Sequence, residues 1–309
     1  MTALAPPTVP RDVAAAGDLE LPGRAAAVFR ERHGGLGPNL PRSAVPPQVL
    51  ARDQAEVEEL GLRLLALLGR EGRSRTWLGS GAAGELRVAR RLPAGSRGDL
   101  GAEVTDLVRL VALREPSLLT PTQLLGGDPT WVVRRFSEGV ALRRLLTVVG
   151  LSSAQVAALA HDLIAATLAL HAAGLAHGSV HGGNVIVGID GWARLCDAAT
   201  SPRQDPAVAM GQDIEDLSGV LEAALARRSG SGRRRAPEAS GLAHLEAVLG
   251  GFIAARRLPT GGLELLLTDL DSASGGPTTA VRRQLSALVD RVQPRAAVPA
   301  GQQGHRPTR

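Results

Sequence analysis

The chain has 309 residues, of which 44% are hydrophobic and only 2% aromatic, enough for one large folded domain or two modest ones. All 35 basic residues are arginine, and neither lysine nor tyrosine occurs. The net charge of +5 reflects an arginine-rich composition typical of a GC-rich genome, so we expect no nucleic acid partner. The lack of lysine excludes any step that needs an ammonium group at a phosphate or in a Schiff base.

One cysteine, Cys196, rules out an internal disulfide and a cysteine-based zinc site. The first twenty residues carry prolines and acids where a signal peptide has an apolar run. No segment of the sequence reaches the roughly 18 apolar residues expected of a membrane helix. We therefore expect a soluble, cytoplasmic protein.

The first half of the chain is predicted to contain helices and short strands in a mixed order. Residues 1–45 lack sustained periodicity and are predicted to be disordered or loosely attached. The elements predicted after them are a helix over 46–69, a pair of strands around the glycine-rich turn 79–84, a helix over 99–115, and two strands joined by the turn 126–129.

The second half is predicted to be mostly helical. Its predicted elements are helices over 141–150, 152–174 (with Ser153 as N-cap), 213–228, 241–256 and 278–292, a hairpin over 185–197, and a basic loop over 229–241. A strand-bearing part followed by a helical part indicates an α+β fold in two lobes. We expect a helix and reduced N-lobe over 46–136, a C-lobe over 137–292, and a disordered tail over 293–309.

The loop 177–184 and the hairpin after it resemble the catalytic centre of the protein kinase-like fold, especially bacterial Ser/Thr kinases. In that family a His opens the loop, an Asp two residues later accepts the substrate proton, and an Asn five residues further holds Mg²⁺. Here His177, position 179 and Asn184 match that spacing, and Asp197 matches the second metal ligand. Asp213 matches the aspartate that ties down the loop from a buried helix.

The resemblance covers roughly residues 76–292. Gly178 and His181 resemble the aminoglycoside phosphotransferase-like branch, whereas the preceding LHAAGLAH resembles Ser/Thr kinases. The resemblance implies a two-lobed fold, ATP with Mg²⁺ as the expected cofactor, and Asn184 and Asp197 as the metal ligands.

Two departures in the C-lobe argue against catalysis. Ser179 replaces the proton-accepting Asp, and a serine hydroxyl is a very poor base at neutral pH. Asp197 is followed by two alanines where the family has Phe-Gly, and the activation segment, 197–212, is very short. His181 is a weak candidate for a substitute base.

The N-lobe also departs from the pattern. Arg90 stands where the family has its phosphate-binding lysine, and Glu103 is its expected partner on the next helix. Gly79, Gly81 and Gly84 have the spacing of a phosphate-covering loop. That loop should precede two strands before the helix, however, and only one is predicted, so a tight hairpin turn is the alternative.

Several simpler interpretations stay open. Asn184 and Asp197 either hold a divalent ion or satisfy loop backbone groups. His177 with His181 forms no zinc site without a third ligand, and Ser179 lacks the partners of a nucleophile. Cys196 is expected in the core, and the run 233–235 is expected to be solvated.

The sequence favours a pseudokinase, a kinase-like domain that has lost phosphoryl transfer and acts by binding a protein, with or without nucleotide. The alternative is an active, divergent Ser/Thr kinase or small-molecule phosphotransferase, using Asn184 and Asp197 for Mg²⁺, Arg90 for phosphate and His181 as base. A helical adaptor that does not bind nucleotide is the third interpretation.

Overall fold

A computed structural model describes residues 40–41, 47–71, 74–92, 100–125, 130–198, 205–227, 236–255, 262–274 and 276–292. The tail 293–309 and nearly all of 1–45 lie outside the described residues. The first half contains β1 (Leu40–Pro41), α1 (Pro47–Val57), β2 (Arg63–Glu71), β3 (Ser74–Ser80), β4 (Leu86–Arg91), α2 (Leu100–Ala112), β5 (Leu118–Leu119), β6 (Pro121–Leu125) and β7 (Trp131–Arg135).

The second half is mainly helical, as predicted. Its elements are β8 (Gly139–Ala141), α3 (Leu142–Val148), α4 (Ser153–Ala172), β9 (Val185–Gly188), β10 (Ala193–Cys196), α5 (Pro206–Ala226), α6 (Ala236–Ala255), α7 (Gly262–Ser274) and α8 (Thr279–Val292). Helix α7 was not predicted, α5 begins before the predicted 213, and α6 extends into the predicted basic loop.

Two sheets form the framework. The N-terminal sheet has the order β1-β2-β3-β4-β7-β6, and all of its neighbouring strands are antiparallel. The second sheet, β5-β10-β9-β8, carries the predicted hairpin β9–β10 at its centre and lies in the helical part. The α+β fold in two lobes is confirmed.

The predicted helix over 46–69 is wrong beyond Val57. Gly61 adopts φ +64°, a left-handed conformation that ends the helical segment. The following run, with Leu62, Leu64 and Ala66 buried, alternates with the period of a strand and pairs with β3. The leucines fit both periods, so their spacing alone did not separate helix from strand.

Helix α1 covers one face of the N-terminal sheet through a buried polar network. Asp53, which is fully buried, accepts hydrogen bonds from Arg75 at 2.6 Å to each carboxylate oxygen and from the Trp77 indole at 3.0 Å. Glu56 accepts from Arg91 at 2.7 and 3.0 Å. The helix is therefore fixed to the sheet by two bidentate ion pairs in addition to apolar packing.

Helix α4 is the centre of the larger core. Its N-cap is Ser152, which with Gln155 forms a reciprocal capping box, so the predicted cap at Ser153 is wrong by one residue. Among the described residues, α4 alone is long and apolar enough to cross a membrane, and most of it is buried inside the protein. That burial identifies it as a core helix.

One of the connections between the two lobes is the short segment after β7. β7 ends at Arg135 and β8 begins at Gly139. The Phe136 N–H donates to the Leu86 carbonyl at 3.2 Å, and the Glu138 carbonyl accepts from the Ile189 N–H at 3.1 Å. The connection is thus held at one end by the N-terminal sheet and at the other by the β9–β10 hairpin.

His161 on α4 predicts a small pH dependence of stability. Its imidazole lies near Asp162 and 3.4 Å from Asp271, and these carboxylates, Asp162 first, raise its pKa against the opposing effects of burial and of Arg282. A raised pKa in the folded state gives stabilisation that is full below the unfolded value and lost as pH rises through the folded value.

His161→Gln should therefore flatten the fall in Tm between about pH 6 and pH 8, by about 2 °C because the ring is partly solvated. Thermal unfolding across that range measures it. His244→Gln, at an exposed site on α6, is the matched control and should leave the pH profile unchanged. Identical profiles for wild type and His161→Gln would contradict the expectation.

Candidate functional site

A buried aspartate on α5 anchors the loop 177–184. Asp213 accepts hydrogen bonds from the backbone N–H groups of His177 at 2.6 Å and Gly178 at 2.8 Å. Its carboxylate also lies 3.1 Å from Nε2 of His171, at the end of α4. The contact that the resemblance predicts for Asp213 is present, and it fixes the start of the loop.

His177 has a structural role in this arrangement. Its Nε2 lies 3.0 Å from the Cys196 carbonyl, and its Nδ1 lies 3.3 Å from the Ser179 N–H. Because a backbone N–H donates and a carbonyl accepts, the ring carries its proton on Nε2 and is neutral. Burial lowers the pKa of His177, which agrees with a neutral ring.

The Ser179 hydroxyl lies beside the Asn184 amide. Nδ2 of Asn184 donates to the Ser179 carbonyl at 2.9 Å and lies 3.4 Å from its hydroxyl. His181 is exposed, and its Nδ1 accepts from the Gly183 N–H at 3.1 Å. Among the hydrogen bonds of the described residues, none joins Ser179 to His181.

Asp197 is held by two arginines of the N-terminal sheet. Nε of Arg134 lies 3.0 Å from one carboxylate oxygen and its Nη2 lies 3.4 Å from the other. Arg90 donates from Nη1 to the Asp197 backbone carbonyl at 3.1 Å. Asp197 has φ +62°, in the left-handed region that Asp and Asn enter more readily than most residues.

The ion pair sets the charge of both partners. Burial alone would raise the pKa of the Asp197 carboxyl, but the adjacent Arg134 guanidinium outweighs it and lowers that pKa. In the same way, Asp197 outweighs the effect of burial on Arg134 and raises the pKa of its guanidinium. Both groups are ionised at neutral pH.

Of the two residues predicted to hold Mg²⁺, Asp197 has a cationic partner in this arrangement. Both carboxylate oxygens of Asp197 face the Arg134 guanidinium. The Asn184 amide nitrogen donates to Ser179, a contact that does not use the amide oxygen by which Asn would bind the ion. Within the described ranges no group of three or more His, Cys, Asp or Glu side chains lies close enough together to hold a metal. A divalent ion at Asp197 would first have to displace Arg134.

Arg90 and Glu103 keep their predicted positions on a strand and on the next helix. Arg90 lies on β4, and Glu103 belongs to α2. The Glu103 side chain lies outside the described residues, so the Arg90–Glu103 pair remains a prediction. The contact that is present joins Arg90 to Asp197 and thus to the opposite lobe.

The glycines at 79, 81 and 84 lie at a hairpin turn, the alternative that the sequence left open. The turn joins β3 to β4, so only one strand separates it from α2. The Gly81 N–H donates to the Glu85 carbonyl at 2.8 Å, and the Glu85 carboxylate accepts from the Ala83 N–H at 3.1 Å. The Glu85 carboxylate thus accepts from the Ala83 N–H, a group that a phosphate-covering loop would leave free to bind a phosphate oxygen.

Arg134 is the site residue that the sequence analysis missed. Strand alternation places it on the same face of β7 as Val132, which packs against the larger core, whereas Val133 packs against the α1 side. An arginine in register with a core-facing valine was a signal that it had a buried partner. The sequence did not identify that partner, because Asp197 lies 63 residues further along the chain.

The segment between Asp197 and α5 is shorter than the predicted 197–212. Asp205 caps α5, with its carboxylate 2.9 Å from the Ala207 N–H, so the segment ends before Pro206 and not near 212. Residues 199–204 lie outside the described residues.

The fold, with the loop 177–184 in its helical lobe, is a two-lobed, protein kinase-like fold. A solved structure, "Crystal structure of Rad53 1-466 in complex with AMP-PNP", superposes with a TM-score of 0.53 at 10% sequence identity. The match covers 66% of this chain and 64% of that chain, so it spans less than two thirds of the solved chain. No family model and no curated protein matches the sequence.

Proposed function

We propose that this chain is a pseudokinase, a kinase-like domain that does not transfer phosphate and acts by binding another protein. Two observations carry the proposal: the aspartate at the metal-binding position is paired with Arg134, and the position of the proton acceptor holds Ser179. The first removes a cation ligand and the second removes the base, so two requirements of phosphoryl transfer are unmet.

A groove beside the loop supports a binding role. It has a volume of roughly 670 Å³ and lies between α3, the loop and α5. Its floor is apolar, with Leu142, Leu146 and Val180 among its residues, and its rim is charged, with Arg143 and Glu215. An apolar floor with a polar rim is the composition of many protein-binding surfaces.

The alternative function is an ATP-dependent phosphotransferase. It is favoured by the retained His177, Asn184 and Asp197 and by the fold shared with a kinase that was solved with AMP-PNP. In that case Arg90 would contact phosphate and His181 would be the base. The present contacts of both residues argue against those roles.

Thermal unfolding with ATP, in the presence and absence of Mg²⁺, separates these functions. A ligand at 100 times its Kd stabilises the folded state by about 2.7 kcal/mol, a rise in Tm of about 5–10 °C for a chain of this size. For the wild type we expect no Mg²⁺-dependent rise at millimolar ATP, and no phosphate transfer to itself or to added substrates.

Ser179→Asp makes the test sharper, with Ser179→Asn as a control of similar size without the charge. Neither variant should gain phosphate transfer, because Asp197 stays paired with Arg134. Phosphate transfer by the wild type that is lost in Asp197→Ala would sink the pseudokinase proposal and favour the alternative.

A further inference from the structure

The contact between Arg134 and Asp197 connects the two lobes. Arg134 lies on β7 of the N-terminal sheet, and Asp197 directly follows β10 of the second sheet. Their side chains are only 11% and 21% exposed, so the ion pair is largely withdrawn from solvent. Arg90 adds a second bond from the same sheet to the Asp197 backbone. The pair is therefore an interlobe connection with little competition from water.

The guanidinium occupies the same carboxylate oxygens that a divalent cation would bind. It supplies a positive charge and two N–H donors in a planar arrangement that matches a carboxylate. A second cation at Asp197 would be repelled by Arg134 and would find both oxygens already engaged. Arg134 and a metal ion therefore exclude each other at this position.

We propose that Arg134 is an internal replacement for the divalent cation: it holds Asp197 and the two lobes together without metal or nucleotide, and it is the residue that excludes Mg²⁺ from the cleft. This inference rests on the proposed loss of phosphoryl transfer, but its test is independent of any activity. Removing Arg134 leaves a mostly buried carboxylate without its bidentate partner, and a metal ion can then take the place of that partner.

The test is the response of Arg134→Met to MgCl₂ alone, measured by thermal unfolding with NaCl at matched ionic strength as reference. The variant should have a lower Tm than the wild type, and 10 mM MgCl₂ should raise its Tm by about 2–4 °C. The wild type should not respond. The matched control is Arg135→Met, at the neighbouring exposed residue on the same strand, which should also leave the protein unresponsive.

Two further variants test whether the Mg²⁺ response depends on the charges of Arg134 and Asp197. Arg134→Lys keeps the positive charge and should remain unresponsive to Mg²⁺. The double variant Arg134→Met/Asp197→Asn removes the carboxylate that binds the ion and should lose the response. A Mg²⁺ response that persists in the double variant would show that the ion binds elsewhere, and it would overturn the inference.

The remaining outcomes are equally decisive. A Mg²⁺-dependent rise in the wild type, or no rise in Arg134→Met, would refute the exclusion of the ion by Arg134. If Arg134→Met does not stay folded, its refolding yield with and without MgCl₂ replaces Tm: recovery only with Mg²⁺ supports the inference, and no recovery in either condition contradicts it. The proposed function fails on a different result, phosphate transfer by the wild type.

Discussion

Asp162→Ala is expected to lower the free energy of unfolding by about 3–5 kcal/mol. Asp162 is fully buried on α4 and makes a bidentate ion pair with Arg282 of α8. It also accepts the Ala193 N–H at 2.9 Å. The substitution leaves a buried guanidinium without its counter-ion and a buried N–H without its acceptor, and both losses add to the cost.

The measurement is chemical denaturation monitored by circular dichroism. Asp271→Asn, at a half-exposed carboxylate near the same cluster, is the control and should change stability by less than about 1 kcal/mol. The double variant Asp162→Leu/Arg282→Met should recover much of the loss, because it removes both charges. A loss below about 1 kcal/mol for Asp162→Ala would show that the buried pair is not structurally required.

Asp53→Ala is expected to destabilise the N-terminal sheet by about 3 kcal/mol. The carboxylate accepts both N–H groups of the Arg75 fork and the Trp77 indole N–H. Trp77 is fully buried, and the Arg75 side chain is only 15% exposed, so water replaces these bonds poorly. Helix α1 should then detach from the sheet before the helical lobe unfolds.

Tryptophan fluorescence reports this loss directly, because Trp77 and Trp131 both lie under α1 and both donate to its carboxylates. Glu59→Ala, at an exposed residue just after α1, is the control and should leave the transition in place. If the fluorescence transition of Asp53→Ala coincides in midpoint with the wild type, the contacts of Asp53 are not required to hold α1 on the sheet.

The loop 177–184 was predictable because a short stretch of sequence sets the spacing of its residues. The spacing of His177, Asn184 and Asp197 is set by one loop and one hairpin, and the structure places these three residues around β9 and β10 as expected. The anchoring by Asp213 followed from the resemblance. Periodicity likewise gave α2, α4 and α8, whose apolar faces are long and regular.

Strand β2 was not predictable by the same means. Its leucines recur at intervals that satisfy a helix as well as a strand, and β-bulges after Leu64 and Leu67 break the simple alternation. The deciding features are Gly61 in a left-handed conformation and the pairing with β3. A pairing partner is a tertiary fact that a short window of sequence does not contain.

The sequence also did not predict that the Asp197 carboxylate forms an ion pair. The pattern predicted the residue and its position after β10, but its charge partner comes from another sheet. Two adjacent arginines, Arg134 and Arg135, follow an apolar run, and only the strand pleat distinguishes the one directed inward. The same carboxylate therefore looks like a metal ligand in sequence and is an ion-pair partner in the structure.

The connection over residues 136–138 brings the chain from one lobe to the other beside the interlobe ion pair. Phe136 is bonded to the N-terminal sheet and Glu138 to the β9–β10 hairpin, so the backbone torsions of Ser137 lie between the two attachments. Thr120 is the corresponding single residue between β5 of the second sheet and β6 of the N-terminal sheet, so a rotation of one lobe against the other would have to involve both residues. Arg134 is only three residues from Ser137, so the ion pair with Asp197 lies close to one of these two crossing points and ties the lobes together there.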